Sequence, residues 1–156
     1  MPADARAQLA ATVTVEQAAE RAWDVVVAGA GPAGAVAARQ LALRGANVLL
    51  ADRASFPRWK VCGCCVNGAA LDALDSLGLG EMARGLGGRR LTRMRFAVGT
   101  TETTLPLHAG VAVSREAFDS ALIVEAIGAG SAFLPGTEAV LLPGAVSYTH
   151  LRAHET

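Results

Sequence analysis

Three glycines, Gly29, Gly31 and Gly34, stand in the spacing G-x-G-x-x-G, and an aspartate, Asp52, follows them at the end of an apolar run. Each glycine suits a separate task in holding a dinucleotide. Gly29 permits a tight turn, Gly31 lets the backbone approach a pyrophosphate, and Gly34 lets the next helix pack closely on its strand. Ala30 and Ala33 complete the turn, and Pro32 suits a first helical position because its missing N–H is no loss there. The open N–H groups and the positive end of the helix dipole then face the phosphates. Asp52 is placed to accept from a ribose hydroxyl pair. Its charge repels a 2′-phosphate, which favours FAD or NAD over NADP. A second cluster, "FPRWKVCGCCVN", holds the only lysine, Lys60, and all three cysteines, Cys62, Cys64 and Cys65. Its residue types suit a metal knuckle, a dithiol or a loop lying against a cofactor.

These residues need a scaffold. Val25, Val26 and Val27 are a β-branched run expected of a strand buried on both faces. A helix through Ala38 and Leu41 is expected to stop near Gly45, and "NVLLAD" supplies a second strand. "NGAALDALDSLGLG" reads as a helix capped by Asn67, with Leu71, Leu74 and Leu77 on its buried face and Gly78 at its end. Met94, Phe96 and Val98 alternate with Arg93, Arg95 and Ala97, as in a half-buried strand pairing with "TTETTLPL" across a turn near Gly99. Ser114 heads a helix with Phe118, Ala121, Leu122, Glu125 and Ala126 along one stripe. "SAFLPGTEAV" reads as a third parallel strand and a turn. Strand–helix alternation of this kind predicts an α/β fold: a Rossmann-like domain with a parallel sheet, right-handed crossovers and an inserted antiparallel hairpin.

Composition bounds the function. The 156 residues suffice for one domain with a core, and 52% hydrophobic with 18% charged residues describes a globular chain. A net charge of +0 gives no reason to expect nucleic acid or an acidic membrane as partner. No apolar run is long enough to span a bilayer, and three clustered cysteines fit a reducing cytoplasm better than a disulfide framework.

With strand, helix and acid in place, the chain resembles the FAD-dependent oxidoreductases of the glutathione-reductase type. Gly29, Gly31, Gly34, Ala38, Leu41, Gly45, Val48 and Asp52 meet that family's extended pattern. "DRASFPRWKVCG" resembles the Pro-Arg-x-Lys-x-Cys-Gly segment of geranylgeranyl reductase-like flavoproteins, matched by Pro57, Arg58, Lys60, Cys62 and Gly63. The resemblance implies that this segment approaches the flavin. Halogenases and aromatic hydroxylases carry similar, looser segments. "VAVSREAFDSALIVEA" resembles the superfamily's Val-x-Arg-x-x-Phe-Asp-x-x-Leu helix through Val113, Arg115, Phe118, Asp119 and Leu122. Arg115 is thereby expected near the FAD phosphate and ribityl region. The expected cofactor contacts are Gly29, Ala30, Gly31, Pro32, Ala33, Gly34, Asp52, Arg53, Arg58, Lys60, Cys62, Gly63 and Arg115.

The cysteines are then weighed again. Zinc needs about four ligands in tetrahedral array, and C-x-C-C offers three at most, so no metal site is expected. A Cys62–Cys65 dithiol lacks its usual helix-start context. The favoured reading turns Cys62, the candidate catalytic residue, toward flavin and substrate. Gly63 gives the backbone room, and Cys64 and Cys65 pack as small apolar residues.

Residues 1–23 are read as an N-terminal extension with a short helix around Val15–Ala22, and 24–145 as a partial, truncated FAD-binding domain. The tail "VSYTHLRAHET" back-translates to a transposase mosaic-end sequencing adapter, so 146–156 is read as adapter translated in frame. His150 and His154 are therefore not recruited as ligands or bases. The resemblance implies a parent enzyme that reduces carbon–carbon double bonds of a hydrophobic substrate, with NAD(P)H as external reductant. It implies membrane contact only through that substrate or a missing C-terminal part. The alternatives are a flavin monooxygenase or halogenase, and a fragment that is not catalytic by itself.

Overall fold

The computed structural model describes residues 9–60, 65–141 and 149–153. In chain order the elements are α1 (Val15–Glu20), β1 (Val25–Ala28), α2 (Pro32–Ala42), β2 (Val48–Asp52), β3 (Cys65–Asn67), α3 (Gly68–Ser76), α4 (Met82–Gly85), β4 (Arg89–Arg90), β5 (Arg93–Val98), β6 (Thr101–Pro106), β7 (Gly110–Ala112), α5 (Arg115–Gly128), β8 (Ala132–Pro135), β9 (Thr137–Leu141) and β10 (Thr149–Ala153). The chain divides into two compact units, Met1–Arg58 with Asp119–Thr156, and Trp59–Phe118. Among the described residues no helix is long and apolar enough to cross a membrane.

The first unit holds a parallel sheet in the order β1-β2-β8. β2 is buried along its whole length because it is the middle strand, covered at both edges and both faces. α2 follows β1 and lies close to the sheet through Ala35 and Ala38, both fully buried. It ends at Ala42, and Gly45 takes a φ of 87° in the turn that leads into β2. α5 enters this unit at Asp119 and contributes Leu122, Ile123 and Ala126 to its core. Arg39 of α2 pairs with Glu125 of α5 at 3.4 Å, which accounts for the one polar member of the α5 stripe.

One expectation fails here. Val25, Val26 and Val27 of β1 are only half-buried and Ala28 is exposed, instead of being covered on both faces. β1 is an edge strand with β2 as its one strand neighbour among the described residues, so it lacks the lateral cover of a central strand.

The segment before β1 is built into this unit. Thr14 caps α1 by a reciprocal exchange with Gln17: the Gln17 N–H donates to Thr14 Oγ1 at 3.2 Å, and the Thr14 N–H donates to Gln17 Oε1 at 2.9 Å. Ala18 packs with Leu49, Ala132 and Leu134, flanked by Val13, Val15, Trp23 and Val26. Thr12 serves the edge of β8: its N–H donates to the Phe133 carbonyl at 2.9 Å, and the Phe133 N–H donates to Thr12 Oγ1 at 2.7 Å. β10 lies within the stretch read as adapter translation and pairs antiparallel with β9.

In the second unit β3, β7 and β4 form a small antiparallel sheet. Asn67 caps α3, its Oδ1 accepting from the Ala70 N–H at 2.9 Å, and Gly78 follows the helix at a φ of 74°. Leu74 and Leu79 are the buried leucines there, whereas Leu71 and Leu77 are half-buried. β5 and β6 form the expected hairpin, turning at Gly99 with a φ of 59°. Its apolar face is not half-buried: Met94, Phe96 and Val98 are 45%, 46% and 83% exposed. The ribbon has two strands, and no third strand joins it among the described residues, so alternation of residue type is not matched by burial.

Candidate functional site

The glycine turn is built as its spacing requires. Gly29 has a φ of 108°, a conformation that side-chain-bearing residues rarely adopt. A Cβ on Gly34 would collide with the Gly29 carbonyl oxygen and press on Val27 Cγ1 at 3.3 Å. Gly34 is therefore demanded by close helix–strand packing. Gly31 is different. Its φ is −73°, open to any residue, and an added Cβ would meet nothing nearer than an Arg58 guanidinium nitrogen at 3.5 Å, an ordinary contact. Nothing in the chain's own backbone or packing requires glycine at 31. The backbone there is thus open to close approach, as the glycine spacing leads one to expect of a dinucleotide turn.

Pro32 occupies the first turn of α2, and Gly31 caps the helix without any side-chain bond. The amino end of an 11-residue helix is thus left without a side-chain cap of its own. Ala30 is fully buried beneath the turn.

Asp52 ends β2 beside this turn and is 5% exposed. Its Oδ2 accepts from the Ala30 N–H at 2.7 Å. Its Oδ1 accepts from the Ala54 N–H at 2.9 Å and from Arg58 NH1 at 3.2 Å. A carboxylate has about four acceptor positions, so three donors leave room for roughly one more. The acid expected to hold the ribose is thus first fixed by the protein, with one position left for a hydroxyl.

Arg58 is the other fixed group. Its guanidinium lies over the Phe56 ring, 4.7 Å from the centroid. Phe56 meets Phe133 edge-on at 5.9 Å, so the platform rests on the core. NH1 pairs with Asp52, and NH2 lies 3.8 Å from Oδ2 of Asp119, a carboxylate 1% exposed on α5. Nε has no hydrogen-bond partner among the described residues.

Of the residues expected at the cofactor, Gly29, Ala30, Gly31, Pro32, Ala33, Gly34, Asp52, Arg53 and Arg58 belong to the first unit, and the glycine turn, Asp52 and Arg58 come together there. Arg53 follows Asp52 and is exposed. Lys60 and Arg115 belong to the second unit, Lys60 exposed and Arg115 at the start of α5. Cys62, Gly63 and Cys64 lie outside the described residues. Cys65 does not pack as a small apolar residue: it is exposed on β3, where strand alternation turns Val66 inward instead. No group of three or more metal-ligating side chains occurs among the described residues. Sequence reasoning missed Asp119 as a partner of Arg58. The available signal was a carboxylate set between Phe118 and Leu122 on a buried helical stripe.

Comparison with known proteins agrees with this geometry. The family model described as "FAD binding domain" matches residues 22–131. Menaquinone reductase of Mycobacterium tuberculosis H37Rv is 39% identical over 121 residues, covering 75% of this chain and 30% of that protein. Digeranylgeranylglycerophospholipid reductase 2 of Methanosphaera stadtmanae is 34% identical over 128 residues, covering 76% and 31%. The chain thus spans under a third of the length of these relatives. Among solved structures, the myxobacterial chondrochloren halogenase CndH superposes with a TM-score of 0.73 at 23% identity, over 84% of this chain and 33% of that one. The residues at the glycine turn fit FAD, the matched region contains them all, and the chain belongs to the FAD-binding domain family.

Proposed function

We propose that the chain is the FAD-binding portion of a longer flavin-dependent oxidoreductase that reduces carbon–carbon double bonds of a hydrophobic, isoprenoid-like substrate. The observation that supports the FAD-binding role is the glycine turn joined to Asp52, with Gly31 leaving the backbone open on the side where a pyrophosphate would approach. Bound FAD would supply hydride transfer, and NAD(P)H is the proposed source of electrons. The protein's own share is binding and orientation. The amino end of α2 receives the pyrophosphate, Asp52 offers an acceptor to the ribose, and Arg58 holds Asp52 in place. On the resemblance alone, Lys60, Cys62 and Gly63 are kept as proposed contacts of the cofactor, and Arg115 as a proposed contact of its phosphate and ribityl region.

Reduction is favoured over oxygen chemistry because the matched reductases are 39% and 34% identical, whereas the likeness to the halogenase CndH at 23% concerns the fold. The test is anaerobic. The full-length parent is purified with its flavin, reduced and mixed with a polyprenyl substrate. Flavin reoxidation coupled to loss of a double bond is expected. Flavin that stays reduced with the substrate until air is admitted, with halide or hydroxyl then appearing in the product, would replace this reading with the monooxygenase or halogenase one.

A further inference from the structure

We propose that residues 9–12 position the nucleotide site from outside the matched FAD-binding region: they hold the Phe56–Phe133 ring pair, and Phe56 seats the Arg58 guanidinium beside Asp52. The inference rests on the reading above, in which Asp52 meets the ribose and Arg58 holds Asp52 in place.

Phe56 follows β2 and Phe133 lies in β8, far apart in the chain. Both rings are fully buried and meet edge-on at 5.9 Å. One short segment bonds to the backbone of both residues. The Leu9 N–H donates to the Phe56 carbonyl at 2.8 Å. The Thr12 N–H donates to the Phe133 carbonyl at 2.9 Å, and Thr12 Oγ1 accepts from the Phe133 N–H at 2.7 Å. The family match runs over residues 22–131, so neither residues 9–12 nor Phe133 belong to the matched pattern.

Arg58 needs such a seat, because a long side chain loses much rotamer freedom when it is fixed. Its NH1 bonds Asp52 Oδ1 at 3.2 Å, whereas Asp119, at 3.8 Å from NH2, is too far for a hydrogen bond. The Phe56 ring lies under the guanidinium, 4.7 Å from centroid to carbon. An aromatic face attracts a cation, more strongly where water is excluded. So seated, an Arg58 terminal nitrogen stands 3.5 Å from where a Cβ on Gly31 would be, beside the glycine turn. Residues 9–12 thus act through Phe56: they fix the ring, the ring fixes the arginine, and the arginine fixes the acid. A site held in its binding geometry has less ordering left to do when the ligand arrives.

The test uses the full-length flavoprotein stripped of FAD, under conditions where each variant is fully folded by circular dichroism. FAD rebinding, and its competition by ADP, are read by flavin fluorescence. Phe56→Leu keeps apolar bulk but removes the ring face, and should weaken FAD binding about tenfold. Leu9→Pro combined with Thr12→Val removes the donor to the Phe56 carbonyl and the acceptor for the Phe133 N–H. It should weaken binding about threefold, as when the arginine is seated in a third of the molecules. ADP carries the same ribose and pyrophosphate and should lose affinity in the same proportion. Both losses should vanish when Arg58→Gln is already present, because no guanidinium is then left to seat. A role in packing alone would give losses that persist in that background. Persistent losses, losses that ADP does not share, or a paired variant that binds like the parent would overturn the proposal while FAD binding stands. Should Phe56→Leu or the paired variant not fold, Thr12→Val decides alone. A loss that disappears with Arg58→Gln supports the proposal, and unchanged affinity or a persistent loss overturns it. An Arg58→Gln variant that binds FAD as tightly as the parent overturns the underlying reading, and this inference with it.

Discussion

The backbone N–H of Ala30 donates to Oδ2 of Asp52 at 2.7 Å, so the glycine turn after β1 and the acid ending β2 are one connected unit. Both groups are buried, and the bond has charge-assisted character, worth about 1.5–3 kcal/mol. Asp52 thus carries a structural load as well as a binding one. Asp52→Ala would leave the Ala30 and Ala54 N–H groups without their acceptor. We expect a loss of about 2–4 kcal/mol in stability by denaturant unfolding, together with weaker FAD binding. Asp52→Asn keeps an acceptor oxygen and is expected to fall between the parent and the alanine variant. An alanine variant as stable as the parent would contradict the role assigned to these bonds.

Gly31→Ala and Gly34→Ala separate ligand approach from packing. Alanine at 34 collides with the Gly29 carbonyl, a backbone atom that cannot easily yield. A melting experiment should show destabilisation of about 2 kcal/mol or more. Alanine at 31 finds no obstacle in the protein and an ordinary φ. Its stability should stay within about 0.5 kcal/mol of the parent. Its FAD affinity, read by flavin fluorescence, should nevertheless drop by about tenfold or more, because the methyl group enters the pyrophosphate's space. Unchanged affinity in Gly31→Ala would remove the main support for the binding site.

The segment before β1 has a measurable structural share. Thr12→Val removes the hydroxyl that accepts from the Phe133 N–H while keeping the shape of the side chain. Chemical denaturation is expected to register a loss of about 1–2 kcal/mol. Thr14→Ala breaks the capping exchange with Gln17 and is expected to lose about 1 kcal/mol. If neither substitution moves the midpoint, residues 9–20 are only loosely attached.

The β5–β6 ribbon yields the converse prediction. Val98 is 83% exposed, so Val98→Thr should leave stability within about 0.5 kcal/mol. A larger loss in the full-length parent would show that this face is covered there.

How far the sequence reaches can be seen residue by residue. The glycine spacing, the acid ending the second strand, the caps at Asn67 and Ser114 and the hairpin turn at Gly99 are local features. Each depends on a few neighbouring residues, and each appears in the structure, Ser114 Oγ accepting from the Ala117 N–H at 3.4 Å. The α/β order and the parallel β1-β2-β8 sheet follow from the same local periodicities.

What required the tertiary structure is whatever joins residues far apart in the chain. The valines of β1 read as buried, yet their burial depends on how many strands flank them, and β1 lies at an edge. Met94, Phe96 and Val98 alternate correctly, but alternation does not say whether anything lies against their face. Thr12 on the edge of β8 and Asp119 on Arg58 are contacts across long stretches of chain. Sequence alone determined that this protein makes a turn for a dinucleotide. Only the tertiary structure decided that Asp119 of α5 would lie 3.8 Å from the arginine that holds Asp52, because such a contact joins residues 61 positions apart that no local pattern relates.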